Sequence, residues 1–235
     1  MGRAMKIAIL SDIHGNIDAL EEIMKLPEFK SCDLRINAGD MVGYYFEPKS
    51  VLHMVQEGNF RTVKGNHELM LQKVRSEDGF LATISLSYGV GHAIAMEQLD
   101  EIDLDYLNSL PLELVIKVPA GNLFVCHGSP QSVDDYIYPD TLLSSIEFQL
   151  EKDIRWLICG NTHWQMVRKE GDLLIINPGS VGQARDRSGL AHWATLDTVS
   201  SEVVFYQTKY DVTALISKTK NLNPELPKLW EVLGG

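Results

Sequence analysis

Short apolar runs alternate with helical periodicities along the first third of the chain. Lys6 to Leu10 is apolar and short enough for a strand, and Asn16 to Leu26 then places Ile17, Leu20, Ile23 and Met24 at helical spacing. Asp33 to Ala38 repeats the strand signal. Pro48 to Glu57 repeats the helix, with Pro48 suited to a first turn, and Phe60 to Val63 reads as a third strand. Amphipathic stretches follow around Ala82 to Leu99 and Leu104 to Leu110. The pattern then turns mostly to strands: Leu112 to Val118, Leu123 to Cys126, Trp156 to Cys159, Trp164 to Arg168 and Leu173 to Ile176. His192 to Leu196 and Val203 to Tyr206, joined by a short polar turn, predict a hairpin. Helices between early strands and a β-rich second half point to a layered α/β fold. No repeat, low-complexity tract or Pro/Ser-rich linker divides the chain, so residues 1–235 are expected to form one domain.

Composition narrows the function classes. The net charge of −11 argues against a broad nucleic-acid surface, which needs a basic face to neutralise phosphates. An anionic substrate then needs local positive charge, and bound divalent cations can supply it inside an acidic protein. No apolar run approaches the ~20 residues that a membrane-crossing helix requires. The start, Met1-Gly2-Arg3-Ala4-Met5, lacks the apolar stretch of a signal peptide, and three cysteines without CxxC spacing read as reduced thiols. A cytoplasmic protein without a membrane partner is the expectation. Oligomeric state is not legible.

Residues able to bind hard or borderline metals fall just after predicted strands. Ser11-Asp12-Ile13-His14-Gly15-Asn16 follows the first strand, Gly39-Asp40 the second, and Gly65-Asn66-His67-Glu68 the third. His127-Gly128-Ser129 and Gly160-Asn161-Thr162-His163 follow two later ones. Loops at the carboxyl ends of strands converge on one crevice in an open α/β sheet. Asp12 and His14 are two apart, so an extended backbone would point both side chains the same way, with Ile13 facing the core. Taken singly, each residue has an ordinary structural reading: Asp12 as a helix cap, Gly39-Asp40 as a turn, His127 or His163 as a hydrogen-bonded structural histidine. Their joint occurrence on five loops favours a metal site. A mixed nitrogen and oxygen set without thiolate suits Mn, Fe, Zn or Ni.

Read in order, DIHGN at Asp12 to Asn16, GD at Gly39-Asp40, GNHE at Gly65 to Glu68, HGSP at His127 to Pro130 and GNTH at Gly160 to His163 resemble the signature of calcineurin-like metallophosphoesterases. GDMVGY at Gly39 to Tyr44 and INPGSVGQARD at Ile176 to Asp186 agree with it. The resemblance is to the small bacterial and archaeal phosphodiesterase branch that includes relatives of diadenosine-tetraphosphate hydrolases. It implies a four-layer α-β-β-α sandwich, metallo-dependent phosphatase-like, with two divalent ions at the strand ends. It further implies that Asp12, His14, Asp40 and His163 hold the first ion. Asp40 would bridge, and Asn66, His127 and the residue at position 161 would hold the second. His67 matches the histidine that faces the phosphate and assists the leaving group.

Position 161 departs from the pattern, because the last motif is usually GHTH. An amide oxygen is a weaker ligand than imidazole for a borderline metal, so Asn161 is expected to weaken the second site or favour a harder ion such as Mn. The implied chemistry is in-line attack by a metal-activated hydroxide on the phosphorus of a small phosphorylated, nucleotide-type or diester substrate. Ser11 and Ser129 have no base partner in an elbow motif and read as hydrogen-bonding neighbours. Tyr44 and Tyr45 are candidates to stack on a base, with loop packing as the alternative, and Arg185 and Arg187 are candidates for distal phosphates. The rival reading is an interaction scaffold on the same fold, as in a retromer subunit that has lost key residues. His67 and six of seven ligand positions stand against it here. A serine/threonine phosphatase is disfavoured by Met41 and Val42, where an Arg would follow GD.

Overall fold

The structure, a computed structural model, describes residues 4–142 and 153–234. The first elements are β1 (Lys6–Leu10), α1 (Ile17–Lys25), α2 (Pro27–Lys30), β2 (Leu34–Asn37), α3 (Pro48–Glu57) and β3 (Arg61–Thr62). β1, β2 and β3 pair in parallel, as strand–helix–strand crossovers dictate. Asn16 caps α1, its side chain accepting from the Ala19 amide at 3.2 Å. That answers the capping alternative for Asp12, whose carboxylate is turned elsewhere. Pro48 opens α3, as its fixed φ and missing N–H favour.

Helices α4 (Asn66–Ser76), α5 (Phe80–Tyr88), α6 (Gly91–Gln98) and α7 (Glu101–Ser109) follow. The amphipathic stretch expected over Ala82 to Leu99 is broken at Gly89, which takes φ 72°. A side chain there would meet Asn223 Oδ1, the group that accepts from the Val90 amide at 2.9 Å. A residue far along the chain thus sets the break, and periodicity alone could not show it.

The remaining elements are β4 (Glu113–Val118), β5 (Gly121–Cys126), β6 (Ile154–Ile158), β7 (Gln165–Glu170), β8 (Leu173–Pro178), β9 (Ala191–Asp197), β10 (Val203–Thr208), α8 (Thr213–Leu222) and α9 (Lys228–Glu231). Two five-stranded sheets result, β10-β9-β1-β2-β3 and β4-β5-β6-β8-β7. The expected late hairpin is β9 and β10, where Trp193 opposite Tyr206 stacks at 4.2 Å between ring centroids. Ile7, Ile9, Ile36 and Val63 from the first sheet pack against Leu123, Val125, Trp156, Ile158 and Ile176 from the second. Alternation along β1 turns Ala8 and Leu10 outward, under a helical layer that includes Leu20, Ile23, Val51, Leu52 and Leu107. This mixed α/β sandwich is the metallo-dependent phosphatase architecture. Cys32, Cys126 and Cys159 are free and buried, and no helix among the described residues is long and apolar enough to cross a membrane.

Candidate metal centre

The parallel strands β1, β2 and β3 of one sheet, and β5, β6 and β8 of the other, end at one crevice between the sheets. The loop after β1 is held on the loop after β2 by main-chain bonds from Asp12 N to Gly39 O, His14 N to Asp40 O and Gly15 N to Met41 O, at 3.0, 3.0 and 2.8 Å. Asp12 and His14 do point into a common site, but the reason differs from the extended backbone expected. Both are left-handed, with φ 55° and 52°, and Ile13 between them is buried in the core. Asp40, Asn161 and His163 are left-handed as well. Five of the eight non-glycine residues with positive φ among those described are therefore sequence-predicted metal ligands. Each such conformation costs about 1 kcal/mol or more, less for Asp and Asn, and persists where surrounding structure enforces it.

The side chains converge closely. His163 Nε2 lies 3.2 Å from Asp12 Oδ1 and 3.2 Å from His14 Nε2, while His127 Nε2 lies 3.2 Å from Asp40 Oδ2. His14 Nε2 is 3.7 Å from Asp12 Oδ1 and 3.8 Å from Asp40 Oδ2. Three imidazoles are fixed through their other nitrogen: Nδ1 of His14 on Val42 O at 3.0 Å, of His127 on Ala38 O at 2.7 Å and of His163 on Gln183 O at 2.8 Å. With Nδ1 set against a carbonyl, each Nε2 is turned to the centre, where it can give a lone pair to a cation once any proton on it is displaced.

Those donor atoms fit a cation. Asp12 Oδ1, Asn66 Oδ1 and His127 Nε2 are buried without a hydrogen-bond partner among the described residues. Buried polar atoms left unpaired are unfavourable, and a cation ligated by them removes the cost. Asp12, His14 and His163 form one group with ligand atoms mutually within 4.8 Å; Asp12, Asp40 and His127 form another, and His14, Asp40 and His67 a third. Metal–ligand bonds of ~2.0–2.2 Å put neighbouring donors roughly 3 to 3.5 Å apart, matching the shortest separations here. Oxygen and imidazole donors without thiolate suit a divalent metal of borderline hardness.

The electrostatics reflect two carboxylates enclosed by imidazoles. Burial pushes Asp12 up, but His163, His127 and His14 outweigh it and hold the carboxyl below its usual value. Burial raises Asp40 on balance despite His127 beside it. Burial opposes charge on His127, yet Asp40 and Asp12 lift it to about 10, whereas burial and the neighbouring imidazoles hold His14 and His67 well below the ordinary value. The pair of carboxylates thus draws positive charge to the place where a cation fits.

Glu68, quoted in the motif but given no role from sequence, organises the loops. Its Oε2 accepts from Gly65 N at 2.8 Å and Asp40 N at 2.9 Å, and its Oε1 from Met41 N at 2.8 Å and Val42 N at 3.2 Å. Burial and Asp40 push it up to about 7 against the amides of Gly65, Val42 and Asp40. His67 N, in the first turn of α4, donates to Asp40 Oδ1 at 2.9 Å, which leaves Oδ2 for the centre. A side chain at Gly65 would collide with Asp40 Oδ1, so the approach of the two loops requires glycine there.

The other sequence candidates fall as follows. Asn161 donates Nδ2 to Asp135 O at 2.9 Å and Val133 O at 3.4 Å, so Oδ1 is the amide atom left for a ligand. Tyr44 is buried, its ring centroid 4.6 Å from that of His14 and 5.0 Å from that of His67. Tyr45 is committed to packing, with its hydroxyl on Leu229 O at 3.1 Å. Arg185 is exposed, and its charge acts on the phenols of Tyr44 and Tyr136. Arg187 is exposed too. Ser129 bonds Asp135 at 2.6 Å and Ser11 bonds Ala38 O at 3.4 Å, both as hydrogen-bonding neighbours. His192 pairs with Asp186 at 3.3 Å rather than substituting for a histidine at position 161. Sequence reasoning missed Tyr88 and Tyr136, aromatic residues outside any motif, and His92, fully buried on α6.

Comparison with known proteins agrees with this geometry. Residues 5–201 match the model of the calcineurin-like phosphoesterase superfamily domain. The crystal structure of a metallophosphoesterase from Sphaerobacter thermophilus superposes with a TM-score of 0.78 at 27% identity, covering 99% of each chain. A hypothetical protein of Pyrococcus horikoshii shares the fold, with a TM-score of 0.80 at 22% identity over 98% of each chain. An uncharacterized protein of Methanocaldococcus jannaschii is 27% identical over 241 aligned residues, covering 93% of this chain and 94% of that one. With its family model spanning most of both sheets, the chain belongs to the calcineurin-like phosphoesterase superfamily and is a metal-dependent hydrolase of phosphoesters.

Proposed function

We propose that the centre holds two divalent cations and hydrolyses a phosphodiester, such as one bearing a nucleoside. Asp12, His14, Asp40 and His163 would hold the first ion, and Asp40, Asn66, His127 and Asn161 the second. The observation that carries this reading is the convergence of the Nε2 atoms of His163, His14 and His127 on the unpaired Asp12 Oδ1, at 3.2, 3.7 and 3.8 Å. Bound there, the cations supply a nucleophile at neutral pH and neutralise charge that builds on the phosphoryl oxygens. Asn161 favours Mn as the second ion, because an amide oxygen is a hard ligand.

The protein's own groups do the rest. His67, with Nε2 4.0 Å from Asp40 Oδ2, faces the leaving oxygen; the anionic phosphate beside it would offset the burial that keeps the ring neutral, so that His67 takes up a proton from solvent and passes it to the leaving oxygen. Tyr44 and Tyr88, 5.6 Å apart between centroids, form an aromatic wall beside His67, and Arg185 brings a guanidinium to the phenols. Aromatic walls with a single cation suit a singly charged diester carrying a flat group better than a doubly charged monoester.

Metal-stripped protein titrated with Mn, Ni, Zn and Mg tests the proposal, with bis(p-nitrophenyl) phosphate and p-nitrophenyl phosphate compared as substrates. Turnover restored by a transition metal, faster on the diester and lost in Asp40→Asn, is expected. No turnover with any metal, or a preference for the monoester, would overturn it.

A further inference from the structure

Histidines 14, 127 and 163 each have Nδ1 anchored on a main-chain carbonyl, but His67 does not. Its Nδ1 is buried with no hydrogen-bond partner among the described residues. The usual device for setting a histidine's ring plane is therefore absent from the residue that the proposed function asks to face the leaving oxygen. Rings surround it instead. His14 lies 4.7 Å away at 69°, Tyr88 4.8 Å away at 80° and Tyr44 5.0 Å away at 41°. Among the rings of the described residues only His92 lies parallel, at 5.1 Å and 14°.

His92 is itself unusual. It is fully buried, and its ring nitrogens make no close hydrogen bond among the described residues beyond a weak approach to the main chain of His67. Burying two ring nitrogens without a close hydrogen bond is costly, and an aliphatic side chain would fill the space without that cost. The flat contact with His67 is what an aliphatic residue cannot make. The main chain fixes where His92 stands: a Cβ on Gly91 would overlap Gly43 O, and a Cβ on Gly43 would collide with His67 Nδ1. Two glycines thus let the start of α6 press on the loop after β2, and that loop press on His67.

We infer that His92 is a positioning residue, which sets the plane of the His67 imidazole by stacking on it. The inference rests on the reading of His67 as the group that protonates the leaving oxygen. A ring free to rotate delivers its proton less often along the leaving bond, so the effect grows as the leaving group becomes more basic.

The test uses the full-length, Mn-loaded protein and two diesters: bis(p-nitrophenyl) phosphate, whose leaving group departs readily without a proton, and diphenyl phosphate, whose leaving group is more basic. His92→Leu is expected to lower kcat on diphenyl phosphate by about tenfold, against about twofold on the activated diester, with metal content and KM unchanged. His92→Phe, which keeps a flat face, restores the rate on both, and His67→Ala shows the same leaving-group dependence in stronger form. Equal slowing of both diesters by His92→Leu, or no recovery in His92→Phe, overturns the inference while His67→Ala leaves the reading of His67 intact. Absence of leaving-group dependence in His67→Ala itself removes that reading, and the positioning role with it. Should His92→Leu fail to fold by thermal melting, His92→Ala carries the same comparison.

Discussion

Asn161 combines two tasks that pull on one amide. Nδ2 ties down the carbonyls of Val133 and Asp135 in the loop after β5, and the main-chain N–H of the same residue donates to Asp12 Oδ2 at 3.1 Å. Only Oδ1 is left for a metal. Asn161→His would exchange that oxygen for an imidazole at a backbone, φ 64°, that histidine tolerates among non-glycine residues. The expected outcome is a second metal ion bound about tenfold more tightly, since imidazole suits borderline metals better, read by calorimetric titration of stripped protein. The same variant gives up the two bonds to the loop and loses about 1–2 kcal/mol of stability in the metal-free state, measured by denaturant unfolding. Unchanged affinity for the second equivalent would remove Asn161 from the ligand set.

At the scale of elements, the centre depends on how the start of α4 is fastened to the loop after β2. Glu68 does this with four accepted amide bonds, and a carboxylate is needed because all four partners are donors. Glu68→Gln would set an –NH2 against two of them. A loss of about 2–3 kcal/mol in thermal or denaturant unfolding is expected, together with weaker metal binding, since Asp40 and Asn66 sit at the two fastened ends. Stability equal to that of the unaltered chain would show that the loops are held by other contacts. This is also where sequence reasoning reached its limit. Strand ends and the order of ligands were readable because strands leave short apolar runs and the ligand types are few. The helix α4 was not, since Gly65 offers no capping side chain and Glu68 spends its carboxylate largely on another loop. The left-handed turns at Asp12, His14 and Asp40 were equally hidden, because they arise from bonds between loops rather than from local propensity. Tyr88 and His92 come to flank His67 from two helices, α5 and α6, which Gly89 separates within one amphipathic stretch.

For the whole molecule, the two sheets bring Asp12 and Asp40 together in a buried place, in a chain that already carries a net charge of −11. Without a cation, the two carboxylates are balanced chiefly by a proton on His127, and burial still holds Asp40 above its usual value. The metal-free fold therefore carries an electrostatic cost that cations relieve. A ligand present at 100 times its Kd adds about 2.7 kcal/mol, so two such ions add roughly 5 kcal/mol. For a chain of this length, about 2–4 °C of Tm accompanies each kcal/mol, which predicts a rise of roughly 10–20 °C between stripped and Mn-saturated protein. Asp40→Asn separates this explanation from nonspecific stabilisation by salt. The amide oxygen can still accept from His67 N, while the buried charge is gone. The variant is expected to melt at or above the unaltered chain when stripped, and well below it when Mn is in excess. The two Tm curves then cross as metal is added. Parallel curves, or a Tm indifferent to metal in the unaltered chain, would mean that the buried carboxylates are satisfied by the protein alone and that the centre was misread.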